Sequence, residues 1–352
     1  MTNESVQSEK LSGRAADLIR RHPLAVFFPM AILFTWIIDI VMHGLLKQEV
    51  YTYIYIAAYG PVLTAMFLMS VIQPGKVKSS PQTRWTIFAI VFVVAATVRW
   101  ISRIWWNHDL SWRAIPGDVI LVFLSAFVTS AAFSGRKGVR ALLQSTVNWR
   151  VNWIWYVFAI FFWPAVTLAG NLLAILLKMP VLQGPKLPDA SVLLVIPVSF
   201  AGAFFFDGAT PEEGGWRGFA LPRLQSRFSP LVASIILGFF WGAFHWSGFF
   251  VGYRGSSWLF WIRLGDIAIS IAFTWLYNRL KGKSLLPLLL MHASFNATND
   301  FLSRTNLTVY AVFGIVILVM IITDRMWKRL PESAKVPETP GKVPLQVGQA
   351  HE

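Results

Sequence analysis

Cysteine is absent from the 352 residues, which excludes disulfides, thiolate metal sites and a cysteine nucleophile. Charge is scarce as well. Only 14% of the residues are Asp, Glu, Lys or Arg, whereas 55% are hydrophobic and the mean hydropathy is +0.56. A soluble domain is roughly a quarter charged, so water is not the main solvent of this chain. Glu212 and Glu213 are the only glutamates between Glu49 and Glu332. The chain has six histidines: His22 and His351 lie towards the ends, His108 in a loop, and His43 near the end of an apolar run, while His245 and His292 lie within apolar segments. Neither an internal repeat of fixed period nor a soluble domain is visible.

Apolar runs and aromatic residues make up most of the chain, with 17 Trp and 28 Phe. Crossing a bilayer takes about 20 apolar residues. Runs of that kind lie near 24–45, 51–73, 85–101, 117–133, 153–177, 231–250, 258–277 and 307–323. A further run over 190–222 is interrupted by Pro197, Gly208 and Pro211, and a shorter one over 284–300 contains Pro287, His292 and Asn296. The expected fold is an all-α polytopic bundle of about 8–10 transmembrane spans. The first 23 residues are polar and end in Arg20-Arg21-His22. No small-residue cleavage site follows, so a retained first span is expected.

The net charge of +14 is explained by topology. With both termini cytoplasmic, cytoplasmic segments hold roughly three times as many Lys and Arg as the opposite side, the positive-inside pattern. The partner implied is a lipid bilayer with anionic headgroups, and nucleic acid is not needed. The expected organisation is a cytoplasmic tail over 1–23, generic spans over 24–180, a polar-rich helical core over 190–300, a last span over 307–323 and a disordered tail over 330–352. A Pro-rich loop over 178–190 separates the first two helical parts.

Ionisable groups at membrane depth are costly and mark function by default, and here they cluster in 190–300. In TPEEGGWRG (210–218), Thr210 suits an N-cap, Pro211 the first helical position, and Glu213 the third residue of a capping box. Glu213 and Arg217 are also spaced to pair across one turn. Glu212 is left over, on another face and with no charge partner in its own helix. Gly214 and Gly215 permit close approach of a neighbouring helix. Trp241 and His245 lie one turn apart, and so do His292 and Asn296. Glu212 and His245 lie about 16 and 15 residues from the turn at Ser229-Pro230, on the order of 24 Å in depth at 1.5 Å per residue. His292 and Asn296 lie on the same side, so the four groups can converge.

This inventory suits hydrolysis of a peptide bond without a covalent intermediate. A carboxylate in an apolar site is a better base than one in water, so Glu212 with His245 could hold and deprotonate a water molecule. His292 and Asn296 could donate to a developing oxyanion. The residues Glu212, His245 and His292 also make up a His2Glu zinc set. No H-E-x-x-H helix supports it, so no cofactor is expected and zinc stays open as the alternative. A rival reading is a transporter relaying protons or an ion through Glu212, His245 and Asp266, although repeated halves are missing. A non-catalytic membrane scaffold is the other rival. The remaining intramembrane acids, Asp39, Asp118, Asp207 and Asp266, are expected to pair between helices, with Arg99 or Arg263 as partners.

EEGGWRGFALPRLQ (212–225), WGAFHW (241–246) and HASFN (292–296) resemble, in order and spacing, the three motifs of the CPBP intramembrane proteases. That family includes the type II CAAX prenyl endopeptidases and the bacteriocin-processing Abi proteins. The chain departs from the family pattern at Trp241, where phenylalanine is more usual. The resemblance implies a multi-pass membrane hydrolase with a conical intramembrane catalytic cavity. Glu212 would be the catalytic carboxylate, His245 its partner on the water, His292 and Asn296 the oxyanion donors, and Glu213 and Arg217 the support. Implied substrates are prenylated or membrane-associated proteins cut near the C-terminus, or peptides undergoing maturation. The implied location is the plasma membrane of a prokaryote.

Overall fold

The computed structural model describes residues 13–46, 52–104, 112–181, 192–247, 263, 265–302 and 307–332. His108, His351, most of the 178–190 loop, most of the 330–352 tail and parts of the runs over 231–250 and 258–277 lie outside them.

Where they are described, the apolar runs are helical, and no strand occurs among the described residues. Helix α1 (Pro23–Asp39) continues into a π turn over Ile40–Leu45. The second run is split into α2 (Thr52–Ala57) and α3 (Gly60–Ile72). Then come α4 (Pro81–Ser102), α5 (Ile115–Ala131), the short α6 (Lys137–Leu143) and α7 (Ile154–Leu176). The interrupted run over 190–222 is a broken span: α8 (Val192–Phe205), α9 (Ala209–Gly215), a π turn over Trp216–Ala220 and α10 (Leu221–Gln225). Helices α11 (Pro230–Phe244), α12 (Gly265–Arg279), α13 (Leu286–Phe301) and α14 (Leu307–Thr323) complete the bundle.

Among the described residues, four helical stretches are long and apolar enough to cross a bilayer: Pro23–Leu45, Thr52–Ile72, Pro81–Ser102 and Ile154–Leu176. The outer face of the bundle agrees with them. Val93, Leu172, Ile175 and Leu318 are each more than half exposed, a pattern that would aggregate in water and that lipid satisfies. Along α4 only Ala95 and Arg99 are buried. The molecule is therefore an all-α polytopic membrane bundle.

Local sequence sets several helix ends. Ser80 and Ser229 each accept a hydrogen bond from the backbone N–H three residues on, with Pro81 and Pro230 at the first helical position. The Ser229 cap starts α11 only a few residues after α10 ends. Helix α9 packs on α3 and α13, α13 also packs on α7 and α8, and α11 pairs with α12. The α9–α3 approach is close because position 215 is glycine. A Cβ there would stand 2.6 Å from the backbone of Pro61.

Buried ion pairs link helices away from the motifs. Arg99 Nε donates to Asp118 Oδ1 at 2.7 Å, Arg103 Nη1 donates to Asp118 Oδ2 at 2.8 Å, and Thr52 joins both Arg99 and Asp118. The cluster ties α2, α4 and α5 together, as the sequence led us to expect for Asp118 and Arg99. Asp266 departs from the expected pairing between helices, since its partner Arg263 lies only three residues before it, at 3.5 Å. Asp39 differs, since it accepts a hydrogen bond from Ser247 at 2.5 Å. Asp207 differs too. Its side chain is exposed, and it is the backbone carbonyl that another helix uses.

Removing one partner of a buried pair leaves the other charge uncompensated, at a cost of about 3–5 kcal/mol. Asp118→Ala should therefore lower the unfolding midpoint in detergent by several degrees. An unchanged midpoint would show that the cluster does not hold these helices together.

Candidate active site

The break between α8 and α9 positions the site. A helix that stops within the bilayer leaves carbonyl groups without partners, and the apolar surroundings cannot supply them. Here side chains do. The carbonyl of Phe205 accepts from Tyr59 Oη at 2.7 Å and from Ser125 Oγ at 3.1 Å, and that of Asp207 accepts from Asn296 Nδ2 at 2.5 Å. The chain then turns through Gly208, whose φ of +96° favours glycine. A Cβ on Gly208 would collide with the imidazole of His292, around Nε2. The break therefore backs directly onto the His292 ring.

The turn starts α9, and α9 presents both glutamates to the interior. Glu213 is fully buried, and its Oε1 accepts from Arg217 Nη1 at 2.8 Å and faces His292 Nδ1 at 2.7 Å. The Arg217 guanidinium lies between the rings of Trp241 and Phe273, 4.4 Å from each centroid. Its Nε and Nη2 have no hydrogen-bond acceptor among the described residues, so the two π faces supply much of the compensation for burying the cation. Glu212, 3% exposed, accepts from Trp241 Nε1 at 2.6 Å and from Trp216 Nε1 at 3.1 Å. Both indoles take Oε2, and neither uses Oε1. Trp241 thus touches everything in the centre: its N–H holds Glu212, its face covers Arg217, and its ring lies 5.5 Å from that of His292.

Several expectations need correction. Thr210 and Glu213 do not form a capping box. Gly208 is the N-cap with no side-chain hydrogen bond, and Thr210 Oγ1 is buried without a partner among the described residues. The Glu213 carboxylate instead serves Arg217 and His292, because a desolvated cation attracts a carboxylate more strongly than a backbone N–H does. His245 is not inside a helix but is the C-cap of α11, half-buried, with its ring 4.8 Å from Phe244 and 6.3 Å from Trp241. Among the described residues it makes no hydrogen bond to Glu212. His292 and Asn296 do share a face, but they serve different partners, Glu213 and the Asp207 carbonyl. Glu212 has no ion pair within its helix among the described residues, and its partner there is the neutral indole of Trp216.

Sequence reading missed several contributors. Trp36 Nε1 donates to the carbonyls of Ala243 and Phe244, fixing the end of α11 beside His245. Tyr59, Ser125 and Phe273 also went unnoticed, since nothing marks an isolated aromatic or hydroxyl residue in an apolar run. Trp216 alone had a usable signal, its one-turn spacing from Glu212. Among the described residues, no group of three or more His, Asp or Glu side chains is gathered to hold a metal ion.

A small cavity of about 110 Å³ adjoins the break, lined by Asp207, Ser199, Asp300 and Arg99 among others. Ser199 Oγ donates to Asp300 within it at 2.5 Å.

The Gly208–His292 contact can be tested directly. Gly208→Ala should cost about 1–3 kcal/mol in backbone strain and shift the imidazole nitrogen resonances of His292. Gly202→Ala, where a Cβ meets only ordinary contact, should leave both unchanged. Unmoved His292 signals in Gly208→Ala would break the link between the turn and the ring.

Residues 188–298 match the family model described as "Type II CAAX prenyl endopeptidase Rce1-like". The chain is also 33% identical to "CAAX prenyl protease 2" of Methanococcus maripaludis, over 37% of this chain and 57% of that relative. The chain thus spans little more than half the length of this curated relative. The matched segment contains Glu212, Glu213, Arg217, Trp241, His245, His292 and Asn296, so over that segment the chain is similar to the CAAX prenyl endopeptidases, in line with the resemblance carried by the three motifs.

Proposed function

We propose that this chain is an intramembrane endopeptidase that hydrolyses a peptide bond with a water molecule activated by Glu212. The observation that supports this best is the state of its two adjacent glutamates. Glu213 is committed to Arg217 and His292, whereas Glu212 is held through one oxygen by two indole donors. Glu212 Oε1 is then the oxygen to orient a water molecule, with His245 as the second group on it.

In this mechanism the water oxygen attacks the carbonyl carbon of the scissile peptide as Glu212 takes a water proton. The carbonyl π electrons move to its oxygen. The Asn296 amide has a second N–H besides the one given to Asp207, and it stabilises that oxyanion together with a proton on His292 Nε2. Collapse breaks the C–N bond, and Glu212 delivers its proton to the departing amine. Glu213 and Arg217 act as positioning residues, holding His292 by its Nδ1 edge. Trp241 positions the Glu212 carboxylate.

The relative's name, a CAAX prenyl protease, suggests prenylated or membrane-associated substrates cut near the C-terminus, and peptide maturation is the alternative use. Metal-free hydrolysis is the chemistry proposed, with a prokaryotic plasma membrane and cytoplasmic termini as the setting. The transporter reading draws on Asp266, and its pairing with Arg263 leaves no observation in favour of that role.

The test is cleavage of prenylated and plain peptides by the purified protein in detergent. Glu212→Gln and His245→Ala should each lower the rate about 10²–10⁴-fold, the usual contribution of a general base, while the unfolding midpoint is kept. Cleavage that survives both substitutions would sink the mechanism. Chelator should leave the rate unchanged, and loss restored by zinc would replace it with a metal-assisted reaction.

A further inference from the structure

A second, larger cavity lies at one end of the bundle. It measures about 840 Å³ and is walled by the chain between α6 and α7 on one side and the α12–α13 turn on the other. Gly218 and Pro222, from the segment that follows Arg217, line it as well. The two walls are joined by hydrogen bonds. Leu285 N donates to the Ser145 carbonyl at 2.8 Å, Asn148 Nδ2 to the Lys283 carbonyl at 2.8 Å, and Ser284 Oγ to the Asn148 carbonyl at 2.5 Å.

The lining is basic. Arg140, Arg150 and Lys283 contribute to it, and its lining residues include no Asp or Glu. Arg140 Nη1 donates to the Lys78 carbonyl at 2.8 Å, a contact that orients the guanidinium without neutralising it. Two observations set the depth of the cavity. Helix α7 is one of the four long apolar stretches, and it starts at Ile154. Trp149 and Trp153, just before it, are 69% and 72% exposed. Exposed tryptophans at the mouth of an apolar helix sit at headgroup level.

We propose that this cavity binds the headgroup of an anionic phospholipid. Arg140, Arg150 and Lys283 would surround the phosphodiester, since a phosphate calls for cationic donors with no competing carboxylate. The acyl chains would run along Ile154, Val157 and Phe161, which are exposed on α7 at helical spacing below the tryptophans. That adjoining apolar stripe favours a lipid over a free anion, for which it would have no use. Basic pockets between helix ends at the membrane surface are suited to anionic headgroups. A bound lipid would brace the Gly218–Pro222 segment from below, one turn from the buried arginine.

The test uses the full chain in detergent and native mass spectrometry with phosphatidylglycerol or phosphatidylcholine. The wild type should retain phosphatidylglycerol preferentially. Both Arg150 and Lys283 are exposed, so the double variant Arg150→Gln/Lys283→Gln should fold normally and lose about thirtyfold in affinity for it. Ala141→Trp, which fills the cavity and leaves its charges, should lose the lipid as well. Lys328→Gln/Arg329→Gln, an exposed cationic pair elsewhere, should change nothing. The assignment is overturned by equal retention of the two lipids or by full retention in either cavity variant. Displacement of the lipid by millimolar inorganic phosphate would also overturn it, by marking a simple anion site. None of these readouts depends on proteolysis.

Discussion

The core of this bundle is organised by one buried carboxylate. Glu213, with no exposed surface, accepts hydrogen bonds from both Arg217 and His292 through a single oxygen. An isolated charge at this depth would be prohibitive. The cost is offset only because the cation, the imidazole and two aromatic faces arrive from α12, α13, α11 and the π turn together. The elements around the site are therefore mutually dependent. Helix α13 is placed by His292, α11 by Trp241, and α12 by Phe273.

The broken helix is the second constraint, and it follows from the first. An unbroken span through 190–222 would not bring a turn against His292 or leave carbonyl groups to accept from Tyr59, Ser125 and Asn296. The break exchanges regular backbone hydrogen bonds for contacts from three other elements, which is tolerable in a membrane only when those contacts are buried in protein. Asn296 consequently gives one amide N–H to the turn, on the Asp207 carbonyl. The π turn over Trp216–Ala220 adds a further local departure at the site, in keeping with the concentration of such turns where function lies.

The tryptophan that departs from the family pattern also finds a physical explanation. A phenylalanine at position 241 could cover the Arg217 guanidinium equally well, but it would offer Glu212 no N–H. In this chain the indole serves both groups, and with Trp216 it supplies two neutral donors to a carboxylate that has no cation of its own. Two negative groups can thus stand side by side in an apolar core with different tasks, one balanced by charge and one by dipoles.

Much of this was determined by sequence alone. Apolar run length specified the helices, because a bilayer requires satisfied backbone over about 20 residues. The Glu213–Arg217 pair was legible because it lies within one helical turn, and the three motifs carried the resemblance to the CAAX proteases. Partners separated by long stretches of chain were decided only by tertiary structure. Periodicity could not show that Glu213 prefers His292, 79 positions away, to its own helix cap, nor that Trp241 bonds Glu212. Local spacing is dictated by backbone geometry, which the sequence encodes residue by residue. Which polar groups neutralise one another in a dry interior depends on which helices pack together, and that competition is resolved only when the whole bundle closes.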